Sequence, residues 1–266
     1  MAAAVASLAV PWVALRTLLL RSWHSSAASS SAWAEDLLHH MDRRDTWDRF
    51  YLKNRASGPQ HFDWFFSYED ASGLLLSTLQ GLSSGETRIL DVGCGTSAFG
   101  LRLYQDSPHQ LHVSCLDFSP VALDSLRQLL QDSPPPRHPL SCLCCRLADA
   151  TDLKNTFESD SFHLVLDKGT CDTLLRCPQG PGKAKQLVAE CLRVLKPRGR
   201  ILQLSDEDPD ARVPFLEQAG GGNVTVTEIG CINGICYYGY TLGQRLLDST
   251  DSREQSPEGK GLDDLA

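Results

Sequence analysis

The chain has 266 residues, enough for one large domain with tails. Hydrophobic residues make up 42% of it, which supports a buried core. A formal charge of −8 argues against a nucleic-acid partner, because such binders usually carry a basic surface.

The first 34 residues contain Arg16 and Arg21 but no acid; Glu35 is the first. An acid-poor, Arg-bearing, Ser-rich start reads as a mitochondrial transit peptide and implies delivery to the matrix. A secretory signal fits less well, since Arg16 interrupts the apolar stretch and no charge precedes it. No run reaches the roughly 20 unbroken apolar residues of a membrane span. Residues 35–70 mix charge with aromatics, including Trp47, Phe50, Tyr51, Phe62, Trp64, Phe65, Phe66 and Tyr68.

Residues 71–245 form the main domain. A helix is predicted over 71–82, then a strand over 88–92, a helix over 98–104, a strand over 111–116 and a helix over 121–130. Strands follow over 141–147 and 162–166, a helix over 184–195 and a strand over 199–204. Such alternation predicts an α/β fold, a mostly parallel Rossmann-like sheet covered on both faces. The runs 224–229 and Ile235–Leu242 flank Asn233-Gly234, a hairpin-turn dipeptide, so the last two strands should pair antiparallel. The polar tail 246–266 reads as disordered.

Ten cysteines are many. Cys115, Cys142, Cys144, Cys145 and Cys236 lie in apolar strand-like runs, where free cysteine packs as a small hydrophobe. Cys142-x-x-Cys145 has no second pair at zinc-ligand spacing, so no metal is expected. The chain reads as reduced and intracellular.

Residues 89–98, Ile-Leu-Asp-Val-Gly-Cys-Gly-Thr-Ser-Ala, run from strand through a glycine turn into a helix. Glycines allow close backbone approach, and a helix start offers free N–H groups. Two readings stay open. Gly93-x-Gly95-x-x-Ala98 formally fits a dinucleotide fingerprint. Asp91, two residues before Gly93, sits badly beside a pyrophosphate but suits an ammonium group. The second strand ends at Asp117, followed by Phe118, and the third at Asp149-Ala150. Three acids closing three successive strands fall at the carboxyl edge, where open α/β sheets bind ligands. A carboxylate at Asp117 can accept both hydroxyls of a ribose.

The fourth strand ends in Asp167-Lys168-Gly169-Thr170. Together with Trp47-Asp48-Arg49-Phe50-Tyr51 and Phe62-Asp63-Trp64-Phe65, this resembles the seven-β-strand protein-lysine methyltransferase family, over about residues 45–245. The segment 192–200, a helix ending in a Pro-Gly turn, matches the same enzymes. The third glycine of the family turn is replaced by Ser97. The resemblance implies a seven-strand methyltransferase sheet and S-adenosyl-L-methionine as cofactor. It implies that residues 35–70 fold over the cofactor as an aromatic lid, with cofactor contacts from Trp47, Tyr51, Trp64, Asp91, Gly93, Gly95, Asp117, Phe118, Asp149, Ala150 and Lys168. It also implies a protein substrate, with citrate synthase the first candidate. Asp167 either orients the acceptor lysine or holds the glycine turn. The acidic run Asp206–Asp210 either attracts a lysine-bearing substrate or is a solvated loop that starts a helix at Pro209. A small-molecule methyltransferase and a non-catalytic binding module on the same fold are the alternatives.

Overall fold

The computed structural model describes residues 9–10, 37, 39–57, 62–80, 82, 85–178, 180–220 and 222–243. Its centre is a seven-stranded sheet in the order β5-β4-β3-β6-β7-β9-β8. The strands are β3 (Thr87–Val92), β4 (Leu111–Asp117), β5 (Cys142–Leu147), β6 (Phe162–Lys168), β7 (Leu195–Ser205), β8 (Thr225–Ile232) and β9 (Ile235–Leu242). The five strands β5-β4-β3-β6-β7 pair in parallel, and β9 pairs antiparallel with both β7 and β8. The chain winds outward from β3 to β5, then crosses back to β6. Strand order therefore reverses between β3 and β6, which opens a crevice at their carboxyl ends.

Alternation along each strand divides the core into two layers. Ile89, Leu164 and Leu202 pack on one face with Leu75, Phe99 and Tyr237. Leu90, Val165 and Ile201 pack on the other with Leu187, Val188 and Tyr240. The first face is covered by α2 (Tyr68–Gln80) and α3 (Phe99–Asp106), and α6 (Gly180–Val194) covers the other. In α4 (Pro120–Gln131), Ser119 caps the start by accepting the Ala122 N–H, with Pro120 in the first turn. This is the arrangement that Ser-Pro specifies. A separate N-terminal piece holds α1 (Arg44–Ser57) and β2 (Asp63–Trp64), and β2 pairs in parallel with β1 (Ala9–Val10).

The sheet agrees with the sequence expectation, and several details correct it. β5 is the sheet edge, so Cys142 is exposed and Cys144 and Cys145 are only half-buried, rather than packed in the core. Cys236 is bonded to Cys231 in a disulfide, which corrects both its reading as a packed thiol and the reading of the whole chain as reduced. A six-residue helix, α5 (Thr170–Leu175), follows β6 where none was anticipated. The last helix of the domain, α7 (Pro209–Gln218), starts at Pro209 with Asp208 as its cap. The expected transit peptide 1–34, apart from Ala9–Val10, and the expected tail 246–266 lie outside the described residues. Among the described residues, no helix is long and apolar enough to cross a membrane.

A buried guanidinium ties α7 to α5. Arg212 donates from Nη2 to Asp172 Oδ1 at 2.6 Å and to Ser205 Oγ at 3.3 Å, and from Nη1 to Cys171 Sγ at 3.0 Å. Removing one partner of such a pair leaves a charge buried alone. Arg212→Ala should therefore lower the unfolding free energy by about 3–5 kcal/mol in urea denaturation. A loss below about 1 kcal/mol, the value of a surface pair, would contradict this role.

Candidate functional site

The glycine turn after β3 is built on left-handed backbone, with φ of 62° at Gly93 and 55° at Gly95. A side chain at either position would also collide. A Cβ on Gly95 would lie 2.6 Å from Tyr51 Oη, and one on Gly93 would lie 2.0 Å from Thr170 Oγ1. The turn is thus fitted against the N-terminal piece on one side and α5 on the other. Asp117, at the end of β4, fixes it by accepting the Gly95 N–H and the Ser119 N–H, both at 2.8 Å.

Carboxylates gather here in unusual states. Asp91 is buried, and its Oδ2 has no hydrogen-bond partner among the described residues. Burial pushes its carboxyl up to about 7, partly opposed by the Lys168 charge. Burial also pushes Asp117 up to about 6, against the N–H groups of Ser119 and Gly95 that favour its charged form. Asp149, after β5, is exposed and accepts both the N–H and the hydroxyl of Thr151 through Oδ1.

An aromatic lid covers this edge. Trp47 and Tyr51 on α1 stack with centroids 5.7 Å apart, and Trp64 meets Trp47 edge-on at the same separation. The Trp47 indole N–H donates to the Met41 carbonyl at 2.6 Å. What anchors the lid is Lys168, at the end of β6. Its Nζ donates to Asp63 Oδ1 at 2.9 Å and to the Trp64 carbonyl at 3.0 Å, and stands 4.9 Å from the Phe99 ring centre. Asp63 also accepts the Ser97 hydroxyl, which binds β2 to the glycine turn. Lys168, expected as a cofactor contact, lines the crevice while its ammonium bonds to Asp63 and to the Trp64 carbonyl.

Between lid and sheet edge lies a cleft of about 690 Å³, its open mouth included. Trp47, Tyr51, Trp64, Gly93, Asp117, Phe118, Asp149, Ala150 and Lys168 line it. A smaller cavity of about 330 Å³ adjoins it, sharing Tyr51, Trp64, Gly93 and Lys168 and adding Asp91 and Gly95. The two cavities bring together all eleven residues read as cofactor contacts.

Asp167 lines neither cavity. It is fully buried and accepts the Thr170 N–H at 2.9 Å, the Cys171 N–H at 3.3 Å and the Gln203 side-chain amide at 2.8 Å. Of its two expected roles, the geometry matches holding the turn and start of α5, and does not match touching an acceptor. Burial, reinforced by Asp172, pushes its carboxyl up to about 7. The acidic run is also partly spent. Asp206 is held by Arg176 at 3.0 Å, and Asp208 caps α7. Asp208 and Asp210 are exposed, and Glu207 is half-buried.

Sequence reading missed Thr170 and Thr173, which line the cleft from α5. It also missed the ion pair of Lys183 and Asp42 at 2.6 Å, both members of which line the cleft. These two lie 141 residues apart, and no local pattern announces them.

Comparison with known proteins gives a consistent picture. Residues 83–235 match the family model described as a methyltransferase domain. The chain is 41% identical over 235 residues to the mitochondrial citrate synthase-lysine N-methyltransferase of Danio rerio, covering 85% of this chain and 91% of that protein. It is 46% identical over 206 residues to the protein of the same name from Homo sapiens, covering 75% and 85%. Similarity to the EEF1A lysine methyltransferase 4 of Mus musculus is 29% over 182 residues, covering 65% and 64%. Among solved structures, a methyltransferase from Methanosarcina mazei described as SAM-dependent has a TM-score of 0.50 at 14% identity, covering 62% of this chain and 96% of that one. An N-methyltransferase from Haemonchus contortus, in complex with phosphomonomethylethanolamine and S-adenosylhomocysteine, has a TM-score of 0.51 at 13% identity, covering 77% and 59%. At such identities the structures speak for the fold alone.

The orphaned Asp91 carboxylate has a measurable cost. Its folded-state value near 7 lies above the unfolded 3.8. The folded state therefore binds the extra proton, and stability falls as pH rises from about 4 to about 7. Asp91→Asn removes that loss. The variant should gain stability over the ligand-free parent at pH 8, and gain on the order of 3 kcal/mol less at pH 5. Thermal or urea unfolding at the two pH values checks this; equal effects at both would contradict it.

Proposed function

The chain belongs to the methyltransferase-domain family, within the group of citrate synthase-lysine N-methyltransferases, and from that premise we propose that it methylates a lysine side chain of citrate synthase in the mitochondrial matrix. It is an S-adenosylmethionine-dependent enzyme that acts on a protein. The dinucleotide reading of the glycine turn falls with the family assignment. One observation carries the reading of the site: a buried carboxylate oxygen on Asp91 without a partner, beside a glycine turn and under an aromatic lid. A cationic ammonium is the group that such an oxygen lacks.

The residues fit the cofactor along its length. Asp91, with Gly93 and Gly95, suits the methionine ammonium end. Asp117 accepts one N–H from each side and retains lone pairs for ribose hydroxyls. Phe118, Asp149 and Ala150 border the part of the cleft suited to adenine. Trp47, Tyr51 and Trp64 close over it and exclude water. When bound, S-adenosylmethionine supplies a methyl group activated by its sulfonium charge.

The chain's own contribution is mainly position. In-line displacement needs donor, carbon and acceptor aligned, and a rigid cleft supplies that order before reaction. The acceptor lysine must first lose a proton, since its ordinary pKa is about 10.4. Entry between Gly169, Thr170 and the lid rings takes the amine out of water, which favours its neutral form. The proton leaves to solvent. Asp167 does not take it, because its oxygens are engaged by Thr170, Cys171 and Gln203. Its part is to hold α5, and with it Thr170 and Thr173, at the cleft wall. Asp208 and Asp210, exposed on the rim after β7, with half-buried Glu207 beside them, supply local negative charge for an approaching lysine.

The direct experiment combines purified full-length chain, S-adenosylmethionine and citrate synthase, read by intact-mass spectrometry. A mass increase of one or more methyl groups on a citrate synthase lysine is expected, at a rate that climbs between about pH 7 and 9 as the acceptor loses its proton. Asp117→Asn should weaken cofactor binding roughly tenfold to a hundredfold, the loss of a hydrogen bond to a charged group. No methyl increment from a chain that demonstrably binds cofactor would remove citrate synthase as the substrate. Unchanged affinity in Asp117→Asn would remove the ribose contact.

A further inference from the structure

The β8–β9 hairpin carries a group of side chains outside the cleft. Its two-residue turn, Asn233 and Gly234 with φ of 53° and 81°, sets the register: Ile232 opposes Ile235, and Cys231 opposes Cys236. The position next to the closing pair of such a hairpin is where facing side chains approach most closely. The Cα atoms of Cys231 and Cys236 are 4.0 Å apart, and their sulfurs are joined. Glu228 precedes Cys231 by three residues, which in a regular strand would place the two on opposite faces. A bulge between Glu228 and Gly230 adds one residue and reverses that parity. The Glu228 carboxylate therefore falls on the cysteine side, and its oxygen and both sulfurs all lie within 4.8 Å of one another.

We propose that in its dithiol state this hairpin binds one thiophilic divalent cation such as zinc through Cys231, Cys236 and Glu228, and that disulfide formation closes the site. Two thiolates and a carboxylate form a donor set suited to tetrahedral zinc, with the fourth position left to water. The disulfide spans only five residues of sequence, and the turn and strand pairing already fix the register it would enforce. A loop this short also restricts the unfolded chain least. The bond therefore adds little that the turn and pairing do not already supply, and its opening leaves the register in place. The eight other cysteines are unpaired, so this is the pair that the fold brings into bonding distance.

The exchange balances with a small-molecule disulfide as oxidant, such as oxidised glutathione. The more exposed Cys231 attacks one sulfur of the oxidant as a thiolate and releases one thiol. Cys236 then attacks Cys231 in the mixed disulfide and releases the second. Two electrons and two protons leave the pair, and one small disulfide becomes two thiols. A bound cation loses both sulfur ligands and departs. Tyr237, the next residue, turns to the other side of the hairpin and packs on Phe65 and Phe66, with centroids 5.7 and 5.1 Å away. The sulfurs thus face away from the lid, and cation binding is separable from cofactor binding.

Cobalt(II) is the probe. Full-length chain is reduced, desalted without oxygen and titrated with cobalt, with thiolate-to-cobalt charge-transfer absorption as readout. The expected result is one cobalt per chain, displaced by zinc. The band should be lost in Cys231→Ser and in Cys236→Ser, and lost after treatment with oxidised glutathione together with two titratable thiols. Circular dichroism and cofactor binding verify that each variant is folded, and Cys231→Ala stands in if a serine variant is not. Absence of the band in reduced parent protein would overturn the proposal. So would a band that survives in both serine variants, since cobalt would then sit on other cysteines.

Discussion

The site depends on one buried ion pair, Lys168 with Asp63. An ammonium at the end of a central parallel strand costs several kcal/mol to bury alone. Here it is offset by a carboxylate, by the carbonyls of Trp64 and Phe66, and by the face of Phe99. All but the last come from the N-terminal piece. The demand of Lys168 for partners is what fastens that piece to the sheet. Asp63 passes the connection on through the Ser97 hydroxyl to the glycine turn, so strand end, turn and lid are locked as one unit. The cleft is the space that remains between them.

Within that space the chain keeps carboxylates where water cannot reach them. Asp91 and Asp117 both have carboxyls pushed upward by burial. Such groups weaken the ligand-free protein at neutral pH and are relieved by a ligand that brings positive charge or hydroxyl donors. Stability is given up locally so that the site is already arranged before the cofactor arrives. Asp167 contrasts with Asp91: the same burial, but with both oxygens engaged in holding a turn.

Much of this was legible in the sequence. Apolar runs ended by Asp91, Asp117 and Asp149 marked three successive strand ends, and parallel topology forces those ends to a common edge. Asn233-Gly234 marked the hairpin. What stayed hidden required knowledge of neighbours. Nothing in the composition of 142–147 says that β5 lies at the edge, so its cysteines looked like core. α5 is too short to show a helical period. Asp167 alternates onto a face that only the packing of β7 and α5 identifies. Counting outward from Asn233-Gly234 does set Cys231 opposite Cys236, so that pairing was readable in principle. The Glu228 contribution was not, because a bulge leaves no trace in residue type.

The measurement that bears most directly on this account is calorimetric titration of S-adenosylmethionine into Lys168→Met, beside the parent chain. Methionine keeps the unbranched apolar stem, one atom shorter, and removes the charge that holds Asp63 and the lid. The sheet should survive, as judged by circular dichroism, while cofactor affinity falls by at least about tenfold, equivalent to about 1.4 kcal/mol. A folded Lys168→Met protein that binds S-adenosylmethionine as tightly as the parent would contradict the account, because the lid would then not depend on the ion pair that defines the cleft.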